Sequence, residues 1–186
     1  MNKIWFTSDL HFCHDREFIY GPRGFNSIHE MNEAIIKNFN EVMDWADELY
    51  ILGDCFLNNN EEGAKFLSRL PGMKYVVWGN HDTDARKVIM EDMGINILGF
   101  AHQQKFNGQS FYLSHYPTLT SNLDENKDIK ARTLNLFGHT HSKNKFYEGR
   151  PYMYNVALDA HNCYPVEINT IISDIKAEIN NCFKAI

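Results

Sequence analysis

A chain of 186 residues, 44% hydrophobic and 23% charged, has the size and composition of one ordinary globular domain with a sizeable core. Its apolar runs all fall short of the roughly 20 residues that span a bilayer, which excludes a helical membrane protein. A net charge of -6 disfavours a protein that coats nucleic acid through many Lys and Arg contacts to phosphate.

The chain opens directly into a strand-like run. No apolar h-region or cleavage site precedes it, so we expect no signal peptide and a cytoplasmic location. The four cysteines, Cys13, Cys55, Cys163 and Cys182, form no CxxC pair and read as reduced thiols.

Lys3 to Ser8 is β-branched and aromatic and reads as a central strand. Asp9 and His11 follow at i and i+2, a spacing that puts two side chains on one side of an extended chain. His14 to Asn26 is irregular, broken by Gly21-Pro22 and Gly24. Ser27 and Glu30 form a capping-box pair. Ile28, Met31, Ile35, Phe39, Val42 and Trp45 or Ala46 then recur at helical spacing, which predicts a helix from about residue 27 to 46. Leu49 to Leu52 is a second buried strand ending at Gly53-Asp54. Glu61 to Leu70 reads as a helix stopped by Pro71-Gly72. Lys74 to Trp78 is a third strand ending at Gly79-Asn80-His81-Asp82. Thr83 to Met93 is a helix with Gly94 as its stop. Strands alternating with helices predict a parallel sheet.

After residue 94 the pattern changes. Ile95 to Phe106, Ser110 to Ser114, Leu134 to Phe137, Lys145 to Tyr147 and Tyr152 to Ala157 are short strand candidates, and Asn107-Gly108 is a hairpin signal. This half predicts a second, more antiparallel sheet. Thr118 to Arg132 reads as a surface loop or short helix, and Asn169 to about Cys182 as a terminal helix. No linker divides the chain, so residues 1–186 are expected to form a single domain.

Five short stretches carry the chemistry: Asp9-Leu10-His11, Gly53-Asp54, Gly79-Asn80-His81-Asp82, Ser114-His115 and Gly138-His139-Thr140-His141. They hold five of the nine histidines. Most follow a strand candidate, where loops at strand ends build sites in α/β sheets. The donors are carboxylate, imidazole and amide without thiolate, a set that suits Mn²⁺, Fe or Zn²⁺ rather than a structural cysteine-zinc site. Two divalent ions outweigh the charge of Asp9 and Asp54, so such a site would attract a phosphate anion.

The ordered motifs DxH, GD, GNHD, a lone His and GHxH, spanning residues 9 to 141, resemble the calcineurin-like metallophosphoesterase superfamily. The short chain is most similar to its small bacterial and phage phosphoesterases. The resemblance implies an α/β fold: a four-layer α/β/β/α sandwich of two mixed sheets, with a dinuclear metal site at the carboxyl ends of the strands. It implies that Asp9, His11, Asp54 and His141 hold one divalent ion. Asp54, Asn80, His115 and His139 hold the second, with Asp54 bridging. Mn²⁺ leads, with Fe, Zn²⁺ or Ni²⁺ as options. His81 would stabilise the transition state or protonate the leaving oxygen. Asp82 either orients that imidazole or caps the following helix. The implied reaction is hydrolysis of a phosphate ester by a metal-bridging hydroxide, with a small nucleotide-like phosphodiester favoured. A phosphomonoesterase or nuclease of the same fold is the alternative. From another class, a non-catalytic metal-binding scaffold for protein interaction would be expected to lose His81 or several ligands. His14 and Arg23 are candidate substrate contacts, the latter because a guanidinium fork fits phosphate oxygens. The expected partner is a small phosphorylated substrate and no membrane, with nucleic acid possible but not favoured. The oligomeric state is not legible. Cys13 and Cys55 read as small packing residues, and His29, His102 and His161 receive no role.

Overall fold

The computed structural model describes residues 2–120 and 128–184, apart from the side chains of residues 182–184. The first half builds a sheet in chain order. β1 (Ile4–Thr7) is followed by a short helix, α1 (Glu17–Tyr20), in the stretch expected to be irregular. Four residues are too few to show helical periodicity. α2 (Ile28–Val42) starts at Ser27, whose Oγ accepts from the Glu30 amide at 3.2 Å. The Glu30 carboxylate reaches back one residue further than a capping box requires and accepts from the Asn26 amide at 2.8 Å. β2 (Glu48–Leu52), α3 (Asn60–Ser68), β3 (Met73–Val77), α4 (Asp84–Asp92) and β4 (Asn96–Gly99) complete the half. β1 to β4 pair in parallel, as the alternation predicts.

α2 ends sooner than its apolar pattern suggests, and Trp45 lies outside it, 66% exposed. The buried Asp47 carboxylate explains the stop. It accepts from the Asp44 amide at 3.0 Å, which closes a turn. It also accepts from the Lys3 amide at 2.8 Å and Trp5 Nε1 at 2.9 Å, which ties that turn to the start of β1.

The run Ile95 to Phe106, read as one strand, is two. Gly99 takes φ +87°, a conformation open to glycine at little cost. The chain there leaves the first sheet and enters β5 (Ala101–Phe106) of the second. Asn107 and Gly108, at φ 49° and 80°, turn it into β6 (Gln109–Ser114), the expected hairpin. β7 (Thr133–Phe137), β8 (Phe146–Tyr147) and β9 (Arg150–Asn155) follow. The order is β5-β6-β7-β9-β8, and the sheet is less antiparallel than expected, because β6–β7 and β7–β9 run parallel. β10 (Val166–Glu167), too short to read from sequence, returns to the first sheet antiparallel to β1. The first sheet thus has the order β10-β1-β2-β3-β4. α5 (Ile168–Lys184) closes the described chain. The result is the two mixed sheets expected of the fold.

Two cores hold these layers. Trp5, Leu49, Ile51 and Val76 face α2, α3 and α4 on one side of the first sheet. Phe6, Tyr50, Leu52 and Val77 face Phe111, Leu113, Leu134 and Leu136 across the gap between sheets. α5 inserts Ile168, Ile171 and Ile175 into this second core. Burying each such side chain contributes roughly 1.5–3 kcal/mol. Of the loop expected from Thr118 to Arg132, residues 121–127 lie outside the described set, and Ile129–Ala131 form a 3₁₀ turn. Among the described residues no helix is long and apolar enough to cross a membrane.

Asp47→Ala should lower the unfolding free energy by about 2 kcal/mol at neutral pH, read from denaturant melts. Burial raises the Asp47 pKa, but the bonds from Asp44, Lys3 and Trp5 outweigh it and leave the group below its ordinary range. A depressed folded pKa gives stability that is present above the unfolded value and lost as pH falls through the folded one. The gap between wild type and variant should therefore shrink below about pH 4.

Candidate metal centre

The ends of β1 and β2 continue as a pair of bonded loops. The Asp9, His11 and Phe12 amides donate to the carbonyls of Gly53, Asp54 and Cys55 at 3.0–3.1 Å. Asp9, His11 and Asp54 all take positive φ, at 58°, 50° and 56°. The expected extended geometry of Asp9 and His11 is therefore replaced by left-handed turns, which still aim both side chains inward. His139 and His141, at φ 68° and 48°, follow the same rule after β7. Left-handed non-glycine residues are uncommon, and such strain concentrates at functional sites.

The glycines of three motifs are there for close approach. A Cβ on Gly79 would collide with Asp54 Oδ1, and one on Gly138 with Ser8 Oγ and Asp9 Oδ2. A Cβ on Gly53 would lie 2.6 Å from Gly79 and from His115 Nδ1.

Three imidazoles point the same nitrogen inward. His115 Nδ1 donates to the Leu52 carbonyl at 2.8 Å, which leaves a lone pair on Nε2. His141 Nδ1 donates to Asp159 Oδ2 at 3.1 Å. His11 Nδ1 lies 3.1 Å from His14 Nδ1, a hydrogen bond in which the His11 tautomer with its proton on Nδ1 would be the donor. The inward nitrogens meet the carboxylate oxygens at spacings too long for good hydrogen bonds. His11 Nε2 is 3.6 Å from Asp9 Oδ1 and 3.7 Å from Asp54 Oδ2. His141 Nε2 is 3.7 Å from Asp9 Oδ1, and His115 Nε2 is 3.5 Å from Asp54 Oδ2. Asn80 Oδ1 faces His115 Nε2 at 2.9 Å.

Asp9 Oδ1 and His11 Nε2 are buried without a hydrogen-bond partner. Such atoms are costly unless something satisfies them, and a cation would satisfy both. The compact donor groups among the described residues are Asp9–His11–His141 and Asp9–Asp54–His115, which share Asp9. The donor set therefore fits two neighbouring divalent ions. Burial brings the His11 pKa down to about 4, so the ring is neutral at pH 7. Burial acts to raise Asp9, but the close approach of the His11, His115 and His141 imidazoles holds it well below the usual carboxylate range. Burial pushes Asp54 up to about 6, still ionised at neutral pH. Metal binding needs these protonation states.

His139 holds Asp9 Oδ2 with its backbone amide at 2.8 Å, and its ring packs on His115 and Tyr116 at 5.0 and 4.6 Å between centroids. Asp82 neither orients His81 nor caps α4. Its carboxylate accepts the amides of Asp54 and Gly79, both at 2.9 Å, and of Cys55 at 3.3 Å, and so pins the second and third motif loops together. Arg23 does not reach the cleft. Its side chain is 1% exposed, its fork is taken by Asp159, and Nη2 also donates to the Asp9 carbonyl at 2.8 Å. His14 is buried against His11 and turns its ring toward His81 and Phe18. Asp159 had no signal in the sequence, being a lone acid in a 3₁₀ turn, Leu158–Ala160.

Paired sheets with imidazoles, carboxylates and an amide gathered at their loop ends form the candidate metal centre of a phosphoesterase fold. Residues 3–156 match the calcineurin-like phosphoesterase superfamily domain, and the chain belongs to that family. It is therefore a hydrolase of phosphoester bonds in a family that uses divalent metals. An uncharacterised protein of Methanocaldococcus jannaschii is 29% identical over 182 residues, covering 95% of this chain and 93% of that protein. The gene 66 protein of Mycobacterium phage L5 is 27% identical over 169 residues, covering 76% of this chain and 79% of that protein. The crystal structure of a protein of unknown function from Aquifex aeolicus superposes with a TM-score of 0.72 at 25% identity. It covers 93% of this chain and 99% of that one.

Gly138→Ala should leave far-ultraviolet circular dichroism near wild type and weaken Mn²⁺ uptake by roughly 10- to 100-fold in calorimetric titration.

Proposed function

We propose that the chain hydrolyses phosphodiesters of small nucleotide-like compounds, with Mn²⁺ as the preferred ion. The observation that carries the reading is the buried, unpartnered pair Asp9 Oδ1 and His11 Nε2, flanked by Asp54 and His141. Asp9, His11, Asp54 and His141 would hold one ion, and Asp54, Asn80, His115 and His139 the other. Such a pair, when bound, lowers the pKa of water and neutralises charge on the phosphoryl oxygens.

His81 is the proton donor to the leaving oxygen. Its amide donates to Asp54 Oδ1 at 2.9 Å, and Arg86 donates to its carbonyl, so its backbone is held from two sides. The half-buried ring stands 5.6 Å from the His11 ring and 5.9 Å from the His14 ring. A positioned general acid contributes about 10²- to 10⁴-fold to rate.

Two exposed aromatics support a substrate with a flat ring. Phe18, 69% exposed, meets His14 edge-on at 5.8 Å. Tyr116, 50% exposed, meets His139 at 4.6 Å. They stand beside different histidines, one ring on α1 and one after β6. A base stacked on such a ring gains roughly 1–3 kcal/mol. Arg23, the guanidinium the sequence offers for a doubly charged monoester phosphate, is already committed to Asp159. This favours the singly charged diester. Cys13, Cys55 and Cys163 are buried free thiols, which supports a reducing, cytoplasmic setting. Residues 1–186 would act as one domain on a small phosphorylated substrate.

With Mn²⁺ added, bis-p-nitrophenyl phosphate should be hydrolysed faster than p-nitrophenyl phosphate. The reverse order would make the protein a monoesterase, and no turnover of either with Mn²⁺, Zn²⁺ or Ni²⁺ would end the reading. His81→Ala should bind Mn²⁺ like wild type and lose about 10²- to 10⁴-fold in kcat. Phe18→Ala should raise KM for a nucleoside phosphodiester by roughly 5- to 100-fold and leave a dialkyl phosphodiester unaffected.

A further inference from the structure

Asp159 lies beyond residue 156, where the family match ends, yet it touches the donor cluster. Its side chain is 7% exposed. Oδ2 accepts from His141 Nδ1 at 3.1 Å and from Arg23 Nη2 at 2.8 Å, while Oδ1 accepts from Arg23 Nε at 3.1 Å. Arg23 Nη2 also donates to the Asp9 carbonyl. One buried pair of charges thus grips the donor group from two sides, a side chain on one and a backbone on the other.

A buried ion pair is weak evidence for stability, because desolvation offsets much of its attraction. What this pair supplies is direction. His141 is the least sheltered of the inward-pointing imidazoles, 35% exposed against 1% for His11 and for His115, and it sits in a left-handed turn. An exposed ring can rotate, and only one tautomer and one orientation put the Nε2 lone pair beside Asp9 Oδ1. Asp159 selects both. Its own position is referenced to the site, since the Leu158 amide donates to the Ser8 carbonyl at 3.2 Å and Ala157 bridges Ser8. Arg23 orients the Asp159 carboxylate, and Asp159 in turn offsets the Arg23 charge beside a cation position.

We propose that Arg23 and Asp159 form a positioning pair that fixes His141 as a metal ligand and sets the affinity of the position built from Asp9, His11 and His141. The inference rests on the metal-centre reading above. Outer partners of this kind change metal affinity by about 10- to 100-fold.

The test is calorimetric titration of the metal-free, full-length protein with Mn²⁺, beside thermal melts of the same metal-free samples. Wild type should show two binding steps. Asp159→Ala should weaken one step by roughly 10- to 100-fold and leave the other unchanged. Asp159→Asn, whose amide oxygen still accepts from Nδ1, should recover part of that loss. A purely structural role would lower the melting temperature of both variants and move neither step, which would overturn the proposal. So would wild-type affinity in Asp159→Ala. Should the variants fail to fold, long-range ¹H–¹⁵N spectra of the Zn²⁺-loaded wild type decide. The His141 ring should carry its proton on Nδ1 in slow exchange, and a proton on Nε2 would overturn the proposal. Wild type that takes up no ion would overturn the metal-centre reading itself, an outcome distinct from a wild-type response in Asp159→Ala.

Discussion

The pairing of β1 with β2 does not end where the strands end. Amide-to-carbonyl bonds run on from Asp9 to Gly53, His11 to Asp54 and Phe12 to Cys55, and the Leu57 amide returns to Phe12. Along this extension Asp9, His11 and Asp54 adopt left-handed backbone conformations, each costing roughly 1–2 kcal/mol in an L-residue. The cost is sustained because the intervening residues are anchored. Leu10, Phe12 and Phe56 are fully buried in the core against α2 and α3. The chain therefore alternates between side chains driven into the core and side chains driven into the site. Everything at the centre depends on that alternation.

Hydrogen placement follows the same logic. Two of the three inward imidazoles give the Nδ1 proton to an acceptor on the outside, a backbone carbonyl for His115 and a carboxylate for His141, while His11 Nδ1 shares a proton with a second imidazole, His14. The inside is left with lone pairs and carboxylate oxygens. Asp82 shows the reverse use of a carboxylate, spent on three backbone amides to lock two loops at a fixed separation. The acids near the site thus divide by task, and the surrounding donors decide which acid does which. Where amides surround the carboxylate it is structural, and where nothing donates to an oxygen it is left for a cation.

The two sheets contribute unlike parts. The first supplies the loops with Asp9, His11, Asp54, Asn80 and His81, the first three in left-handed turns. The second supplies His115, His139 and His141, on loops kept in place by close glycine packing at Gly138 and by the bond from Leu158 to Ser8. The aromatic rings that border the opening come one from each half of the chain, Phe18 before α2 and Tyr116 after β6. Tyr116 contacts His139, and Phe18 contacts His14, which packs on His11, so the proposed ring-binding surface adjoins the chemistry.

Asp9, His11, Asp54, His115 and His141, which the fold gathers, were legible in the sequence because their short motifs follow strands, and two of those motifs carry a glycine, Gly53 or Gly138, at a close backbone approach. The parallel order of β1 to β4 was legible because strand and helix periods alternate. Features set by long-range contact were not. The switch of sheets at Gly99 is hidden inside a run of uniform strand character, and only its positive φ marks it. α1 and β10 are too short to carry a period. Arg23 was legible as an anion-binding type, but its partner, Asp159, stands 136 residues away, so only the folded chain decided that the fork binds a carboxylate rather than a phosphate. Composition and local pattern determined the kind of chemistry and most of its side chains. Tertiary packing decided which nitrogen of each histidine faces inward and which acid is left without a donor, because both depend on neighbours that no stretch of sequence holds together.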